Sequence, residues 1–322
     1  MKKNNCRILK CFNITNNTFS IIINPVSGSG LGLKNWSDIE KLLKQKNIKY
    51  SEYYTLNYNS TIKYCNEQIS SGIRNFIVIG GDGTLNEVAN SILTQTKIKI
   101  SEFSISVIPV GTGNDWCRTF KIPFDYTKAI DIICKQNFKF QDVGKAFFHN
   151  NGKKQIRYFV NVAGAGFDAF VAYKTNLKSD KGQGSALSYL WNLFTGLFQY
   201  KSTRVKLNYE DKSTNNLVFS MSIGIGKFNG GGMMQLPEAI PDDGLFDTTV
   251  INKMSKLKII RNIKKLYDGS IINVPNIDSF RAKKIMIDSE PKIKLELDGE
   301  ICGESPFEFE IIPQYLKVCV PE

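Results

Sequence analysis

Three glycine-bearing segments have the residue types that hold phosphate. They are Asn24-Pro25-Val26-Ser27-Gly28-Ser29-Gly30, then Gly80-Gly81-Asp82-Gly83-Thr84 running into Leu85-Asn86-Glu87, then Gly111-Thr112-Gly113-Asn114-Asp115. Glycine lets backbone N–H groups approach an anion closely and tolerates positive φ. Where such a loop turns into a helix, the unpaired N–H groups and the helix dipole also favour negative charge. Thr84 is predicted to cap a helix beginning near Leu85, with Glu87 three residues later completing a capping box. Any one of these segments alone would read as well as a plain strand–helix turn; three in succession argue for a shared ligand. No GxxxxGK[ST] occurs, and the first loop does not spell GxGxxG, which disfavours a P-loop enzyme and a dinucleotide dehydrogenase.

Carboxylates accompany these loops. Asp82 and Asp115 would stand beside the phosphates and repel them unless a cation lay between, and Mg²⁺, a hard ion suited to carboxylate and water, is the natural mediator. Much later, Leu297-Asp298-Gly299-Glu300 ends an alternating strand with two carboxylates around a glycine. Such a pair could take a proton from a hydroxyl. Asp-Gly is equally the commonest hairpin-turn signal, and the residues alone favour that plainer reading.

The elements that must position these groups fall into two patterns. In the first part of the chain, apolar runs at 19–24, 49–56, 75–79 and 104–110 alternate with helical spacing at 36–46, 62–69 and 85–93. Short apolar strands separated by helices imply a parallel sheet covered on both faces, with ligands at the carboxyl ends of its strands. After about Gln141 the period becomes two. Val205, Leu207 and Tyr209 face one way; Ile293, Leu295 and Leu297 alternate with Lys292, Lys294 and Glu296; Phe307, Phe309 and Ile311 alternate with Glu308 and Glu310. This predicts an α/β domain over 1–141 and an antiparallel β-rich, sandwich-like domain over 142–313, the latter interrupted by helices near 185–198 and 255–267.

Composition narrows the classes. With 322 residues, 42% hydrophobic and 22% charged, the chain suits two globular domains. No segment reaches the roughly 18 uncharged apolar residues of a spanning helix, and residues 1–16 show no apolar signal region. A chain acting on lipid would then reach the bilayer from the cytoplasm. The 7 cysteines are scattered without a CxxC pair, which fits free thiols rather than disulfides or structural zinc. The single histidine, His149, is expected only to pack beside Phe147 and Phe148, so a histidine-based triad lacks support. The net charge of +12 is compatible with nucleotide, anionic lipid or nucleic acid, but a general Lys-, Asn- and Ile-rich bias would produce it too.

Taken together, Asn24-Pro-Val-Ser-Gly28, Gly80-Gly-Asp-Gly-Thr-Leu-Asn86 and Gly111-Thr-Gly-Asn-Asp115 resemble the successive signatures of the diacylglycerol kinase catalytic domain family, which includes bacterial soluble lipid kinases and the sphingosine and ceramide kinases. The resemblance continues through Gly230-Gly-Gly232, Pro237, Ala239, Asp242-Asp243-Gly244-Leu245-Phe246-Asp247 and Leu297-Asp-Gly-Glu300, so it spans nearly the whole chain. Trp116 stands where a Phe is commoner. The resemblance implies that Asn24, Pro25, Val26, Ser27, Gly28, Thr55, Gly80, Gly81, Asp82, Gly83, Thr84, Leu85, Asn86 and Thr112 line ATP. It implies Mg²⁺ on Asp243 with the backbone carbonyls of Ile240 and Leu245, linked through water to Asp82 and Asp115. It implies that Asp298 or Glu300 deprotonates the acceptor, a lipid alcohol, and that the last strand, 316–320, returns to the first domain.

Contact with lipid is legible only as alternatives. Lys258, Arg261 and Lys265 share one face of the 255–267 helix, opposite Ile259, Ile263 and Leu266, which suits an anionic membrane surface or simply solvent. Met233, Met234 and Leu236 could line an acyl-chain groove or pack in the core. No nucleic-acid partner is expected. The rival readings are an NAD kinase, which also carries a GGDG loop, and a lipid-binding relative without catalysis; the retained Asp82, Asp115, Asp243, Asp298 and Glu300 weigh against the second.

Overall fold

A computed structural model describes residues 18–179 and 195–322. Its amino-terminal half is a parallel sheet in the order β2 (Tyr50–Tyr54), β1 (Phe19–Ile23), β3 (Asn75–Gly80), β4 (Ser104–Pro109). All five residues of β1 are buried, as expected of a central strand covered on both faces. Helices α1 (Ser27–Lys34), α2 (Trp36–Gln45), α3 (Tyr58–Ser70), α4 (Asp82–Thr94), α5 (Asp115–Thr119) and α6 (Tyr126–Lys135) connect and cover these strands. On one face Trp36, Ile39 and Leu43 of α2 pack with Ile130 and Ile133 of α6. On the other, Cys65 and Ile69 of α3 pack with Leu85, Val88 and Ile92 of α4.

The remaining strands are β5 (Phe138–Asn150), β6 (Lys153–Phe159), β7 (Val162–Gly166), β8 (Thr203–Tyr209), β9 (Lys212–Gly224), β10 (Phe246–Asn252), β11 (Ile277–Ala282), β12 (Lys284–Glu290), β13 (Lys294–Leu297) and β14 (Glu300–Cys319). Strands β9, β7, β13, β14, β12 and β8 pair in that cyclic order, so the expected sandwich closes into a six-stranded antiparallel barrel. Closure leaves no free edge within the six. Strands β10 and β11 extend from β9, and β5 and β6 from β14. The barrel core includes Val205, Leu207, Ile293, Leu295, Leu297, Phe307 and Phe309 from the alternating sequence pattern, joined by Ile285 and Ile287 of β12.

Strand β14 runs on past the barrel, and Val318 pairs in parallel with Ile105 of β4, joining the two halves in one continuous sheet. Helix α7 (Phe167–Ser179) follows β7, and the helix expected over 185–198 falls mostly outside the described residues. The helix expected over 255–267 is instead two pieces, α8 (Lys256–Asn262) and α9 (Lys265–Asp268). No helix among the described residues is long and apolar enough to cross a membrane. Cys65, Cys117, Cys134, Cys302 and Cys319 are free thiols.

Candidate active site between the two halves

The three glycine loops leave the carboxyl ends of adjacent strands β1, β3 and β4, and they touch. Asn24 Nδ2 donates to Thr84 Oγ1 at 2.9 Å. A Cβ on Gly81 would lie 3.2 Å from the Gly111 Cα, and one on Gly111 would lie 2.5 Å from the Gly81 Cα. The first loop enters α1 through three left-handed residues, Gly28, Ser29 and Gly30, and a Cβ on Gly28 would lie 2.0 Å from the Val110 carbonyl oxygen. Only glycine fits there. Thr55 follows β2 beside this loop, its N–H donating to Ile23 O at 2.8 Å, and Thr112 is exposed on the third loop.

The expected capping box is absent. Helix α4 begins at Asp82, with Gly81 as its cap residue and no side-chain cap. Thr84 is the third residue of the helix, three positions past the cap, and serves the first loop instead. Helix α4 thus starts at the junction of the loops without a side-chain cap.

Asp82 and Asp115 make a relay of amide bonds between segments. Asp82 accepts from the N–H groups of Asp115 at 3.1 Å and Trp116 at 2.9 Å, so it caps α5 from another loop. Asp115 accepts from Gly231 N–H at 2.8 Å and Gly232 N–H at 2.6 Å, with Arg118 Nε 3.7 Å away. Burial, reinforced by Asp82, raises the Asp115 carboxyl to about 6, and burial likewise raises Asp82. The resemblance implies that these carboxylates face a cation through water. In the structure every one of their four oxygens accepts a backbone amide, because two buried carboxylates need partners at this junction.

The two candidate proton acceptors separate sharply. Asp298 is buried, with φ of 50°, and accepts from Val160 N–H at 2.8 Å, Asn161 N–H at 3.0 Å, Val162 N–H at 3.1 Å and Asn86 Nδ2 at 2.8 Å. Burial outweighs these bonds and raises its carboxyl to about 6. Glu300 is half-buried, and its carboxylate makes no hydrogen bond or ion pair among the described residues. Its Oε1 lies 3.1 Å from where a Cβ on Gly83 would sit, at the first turn of α4. One carboxylate is thus anchored and the other is presented to the second glycine loop across the cleft. Asn86 fastens this arrangement, since its Oδ1 accepts from Arg157 Nε at 3.0 Å and Nη2 at 2.6 Å while its Nδ2 serves Asp298.

The 240–245 segment is held by a residue the sequence analysis missed. Buried Asp142 on β5 accepts from Gly244 N–H at 2.7 Å and Gln314 N–H at 2.7 Å, and its own N–H donates to Pro241 O at 2.7 Å. Asp243 Oδ1 accepts from Leu245 N–H at 3.1 Å, while Oδ2 pairs with Arg281, which also reaches Asp247 at 3.2 Å. Among the described residues no group of three or more His, Cys, Asp or Glu side chains could hold a metal ion. The oxygen-only donors of this segment suit a hard cation. Asp242 and Asp243 both raise the Asp142 carboxyl, behind the larger effect of its burial, so the local charge is in excess of acid. Arg281 supplies the positive charge at Asp243 here. Met233 and Leu236 are buried, and Leu236 packs on Val162 and Ala239, so the acyl-groove reading of these two fails in favour of core packing.

Two family models match the chain in order: the diacylglycerol kinase catalytic domain over residues 18–146, and the YegS C-terminal NAD kinase beta sandwich-like domain over residues 161–320. A diacylglycerol kinase of Staphylococcus epidermidis is 30% identical over 302 residues, covering 94% of this chain and 92% of its own. The chain belongs to the diacylglycerol kinase catalytic domain family. The diacylglycerol kinase of Bacillus subtilis is 28% identical over 305 residues, covering 94% of this chain and 96% of its own. A crystal structure from Bacillus anthracis assigned to the diacylglycerol kinases superposes with a TM-score of 0.74 at 25% identity, covering 95% of this chain and 97% of its own. A yeast NADH kinase complexed with NADH shares the fold alone, with a TM-score of 0.51 at 11% identity over 95% of this chain and 84% of its own.

Proposed function

We propose that the protein is an ATP-dependent lipid kinase that transfers the γ-phosphate to a hydroxyl of diacylglycerol or a related lipid alcohol, giving phosphatidic acid or its analogue. The observation that carries the reading is the meeting of Glu300 with Gly83. A carboxylate without a hydrogen-bond or ion-pair partner among the described residues faces the amino-terminal end of α4 from the opposite wall of one cleft.

The residues divide the work. Asn24 to Gly28, Gly80 to Thr84 and Thr112 receive the nucleotide, with backbone N–H groups of the glycine loops directed at its phosphates, while Leu85 is buried in the core and Asn86 is engaged with Asp298 and Arg157. Phosphoryl transfer asks mainly for positioning and charge stabilisation. Glu300 accepts the proton of the attacking hydroxyl, and Asp298 is its anchor rather than the base. Asp82 and Asp115 fix the second and third loops against the barrel. Asp243, with the backbone carbonyls of Ile240 and Leu245, would hold Mg²⁺, which supplies positive charge against the developing negative charge. The chain would work in the cytoplasm and meet the bilayer peripherally. Exposed Arg261 and Lys264 favour an anionic surface, whereas Lys258 is already held by Pro275 O at 2.9 Å and Asn276 Oδ1 at 2.8 Å.

The test is incubation with Mg-ATP and either NAD or diacylglycerol in mixed micelles, following ADP release. Release with diacylglycerol alone supports the reading. Release with NAD alone would make the protein a small-molecule kinase on the same fold.

A further inference from the structure

Glu296 is a buried acid that the transfer scheme leaves unused. It is 3% exposed and lies on β13 between fully buried Leu295 and Leu297. Those leucines face the barrel core, so alternation turns Glu296 the other way, out of the barrel interior and towards Gly164 and Asp168. It stands opposite Gly164 of β7, and its Oε2 is 2.5 Å from where a Cβ on Gly164 would be. The Asp168 Cβ is 3.0 Å from the same point. Its Oε1 accepts from the N–H of Gly299, inside the left-handed Asp298–Gly299 turn that leads to Glu300. No basic side chain pairs with Glu296 or Asp168 among the described residues.

We propose that Glu296 is a positioning residue: wedged between Gly164 and Gly299, it sets the turn that carries Glu300 to the acceptor hydroxyl. This rests on the reading of Glu300 as proton acceptor. The groups facing Glu296 are Asp168 from α7, Asp298 from the turn, Asn229 from the segment after β9 and Cys302 from β14. None is a cation. Burial, with Asp168 and Asp298 adding to it, raises the Glu296 carboxyl to about 8, while burial raises Asp168 to about 6. Near neutral pH the wedge is therefore uncharged beside Asp168. Above its titration a new negative charge appears between two carboxylates, and the turn must move to relieve it. Displacement of a reacting group by about 1 Å can cost on the order of 10²-fold in rate.

The experiment is the pH dependence of kcat at saturating Mg-ATP and diacylglycerol for wild type, Glu296→Gln and Glu296→Ala. Glutamine keeps an oxygen for the Gly299 N–H and cannot ionise. Wild type should lose activity above about pH 8, and Glu296→Gln should lose that alkaline fall whatever its rate at neutral pH. Glu296→Ala should lower kcat roughly 10-fold or more with ATP affinity unchanged. An alkaline fall in Glu296→Gln that superimposes on wild type overturns the proposal, and so does a wild-type kcat in Glu296→Ala. If the alanine variant does not fold, the glutamine profile decides alone. A wild type that phosphorylates no lipid sinks the kinase reading itself, whereas an active wild type with an unaltered Glu296→Gln profile sinks only the role of Glu296.

Discussion

The division between Asp298 and Glu300 makes a paired prediction. In Asp298→Asn the side chain keeps its shape, and asparagine tolerates the left-handed backbone at this position. One carboxylate oxygen becomes an NH₂ group. Each oxygen of Asp298 accepts two donors: Oδ1 from Asn161 and Val162, Oδ2 from Val160 and Asn86. Whichever oxygen is replaced, two buried N–H donors face another donor. A stranded buried donor costs about 1–3 kcal/mol, so the variant should lose about 2–6 kcal/mol of stability. At roughly 2 °C per kcal/mol for a chain of this size, Tm should fall by about 4–12 °C. Glu300→Gln breaks no hydrogen bond, so its Tm should stay within about 1 °C of wild type while kcat drops roughly 10²-fold or more. Calorimetric scans, ATP titrations and lipid phosphorylation rates on both variants provide the comparison. Wild-type turnover by Glu300→Gln would refute the assignment of the base. An unchanged Tm in Asp298→Asn would refute the claim that its four hydrogen bonds anchor the turn.

Further expectations concern the loops, the cation and pH. Gly111→Ala places a methyl 2.5 Å from the Gly81 Cα, and Gly81→Val fills the same contact, so both should abolish ATP binding in calorimetry while leaving the barrel folded; unchanged ATP affinity would remove these loops from the nucleotide site. Asp243→Ala leaves Arg281 paired with Asp247 only and should raise the Mg²⁺ concentration for half-maximal rate; an unaltered Mg²⁺ response would exclude Asp243 from the metal site. Glu296, Asp115, Asp168 and Asp298 all have raised carboxyl pKa values in the fold. Below about pH 4 both folded and unfolded chains keep these protons; as pH rises towards about 8 the unfolded chain releases its protons first, so stability should fall steadily across that window. Glu296→Gln should flatten the upper half of the Tm curve, and a Tm that climbs from about pH 5.5 to 8.5 would contradict these buried carboxyls.

Periodicity makes both halves of the fold readable in the sequence. Central strands such as β1 are wholly buried, and Leu295, Leu297, Phe307 and Phe309 alternate as barrel residues must. Local pattern does not carry closure: β8 pairs with β12 across three intervening strands of the sequence, and nothing in either strand states it. The glycine loops were legible because their chemistry is local. The roles of their acids were not. Asp82 caps a helix belonging to the next loop, Asp115 bonds amides of Gly231 and Gly232, and Asp142 locks a segment a hundred residues on. Such partners are chosen by topology. The capping box failed for a related reason, since Thr84 found Asn24 of a neighbouring strand. Asp298 and Glu300 looked interchangeable around Gly299, and only burial and hydrogen bonding tell them apart.

The central claim is that this cleft phosphorylates a lipid alcohol with ATP. Its most direct test is γ-labelled ATP incubated with the protein and extracted membrane lipids, with chromatographic identification of any labelled product and Glu300→Gln as the control. The expected product is a labelled phospholipid, formed from diacylglycerol or a related lipid alcohol and absent with the control. Label confined to a water-soluble product, or an equal lipid signal from Glu300→Gln, would contradict it.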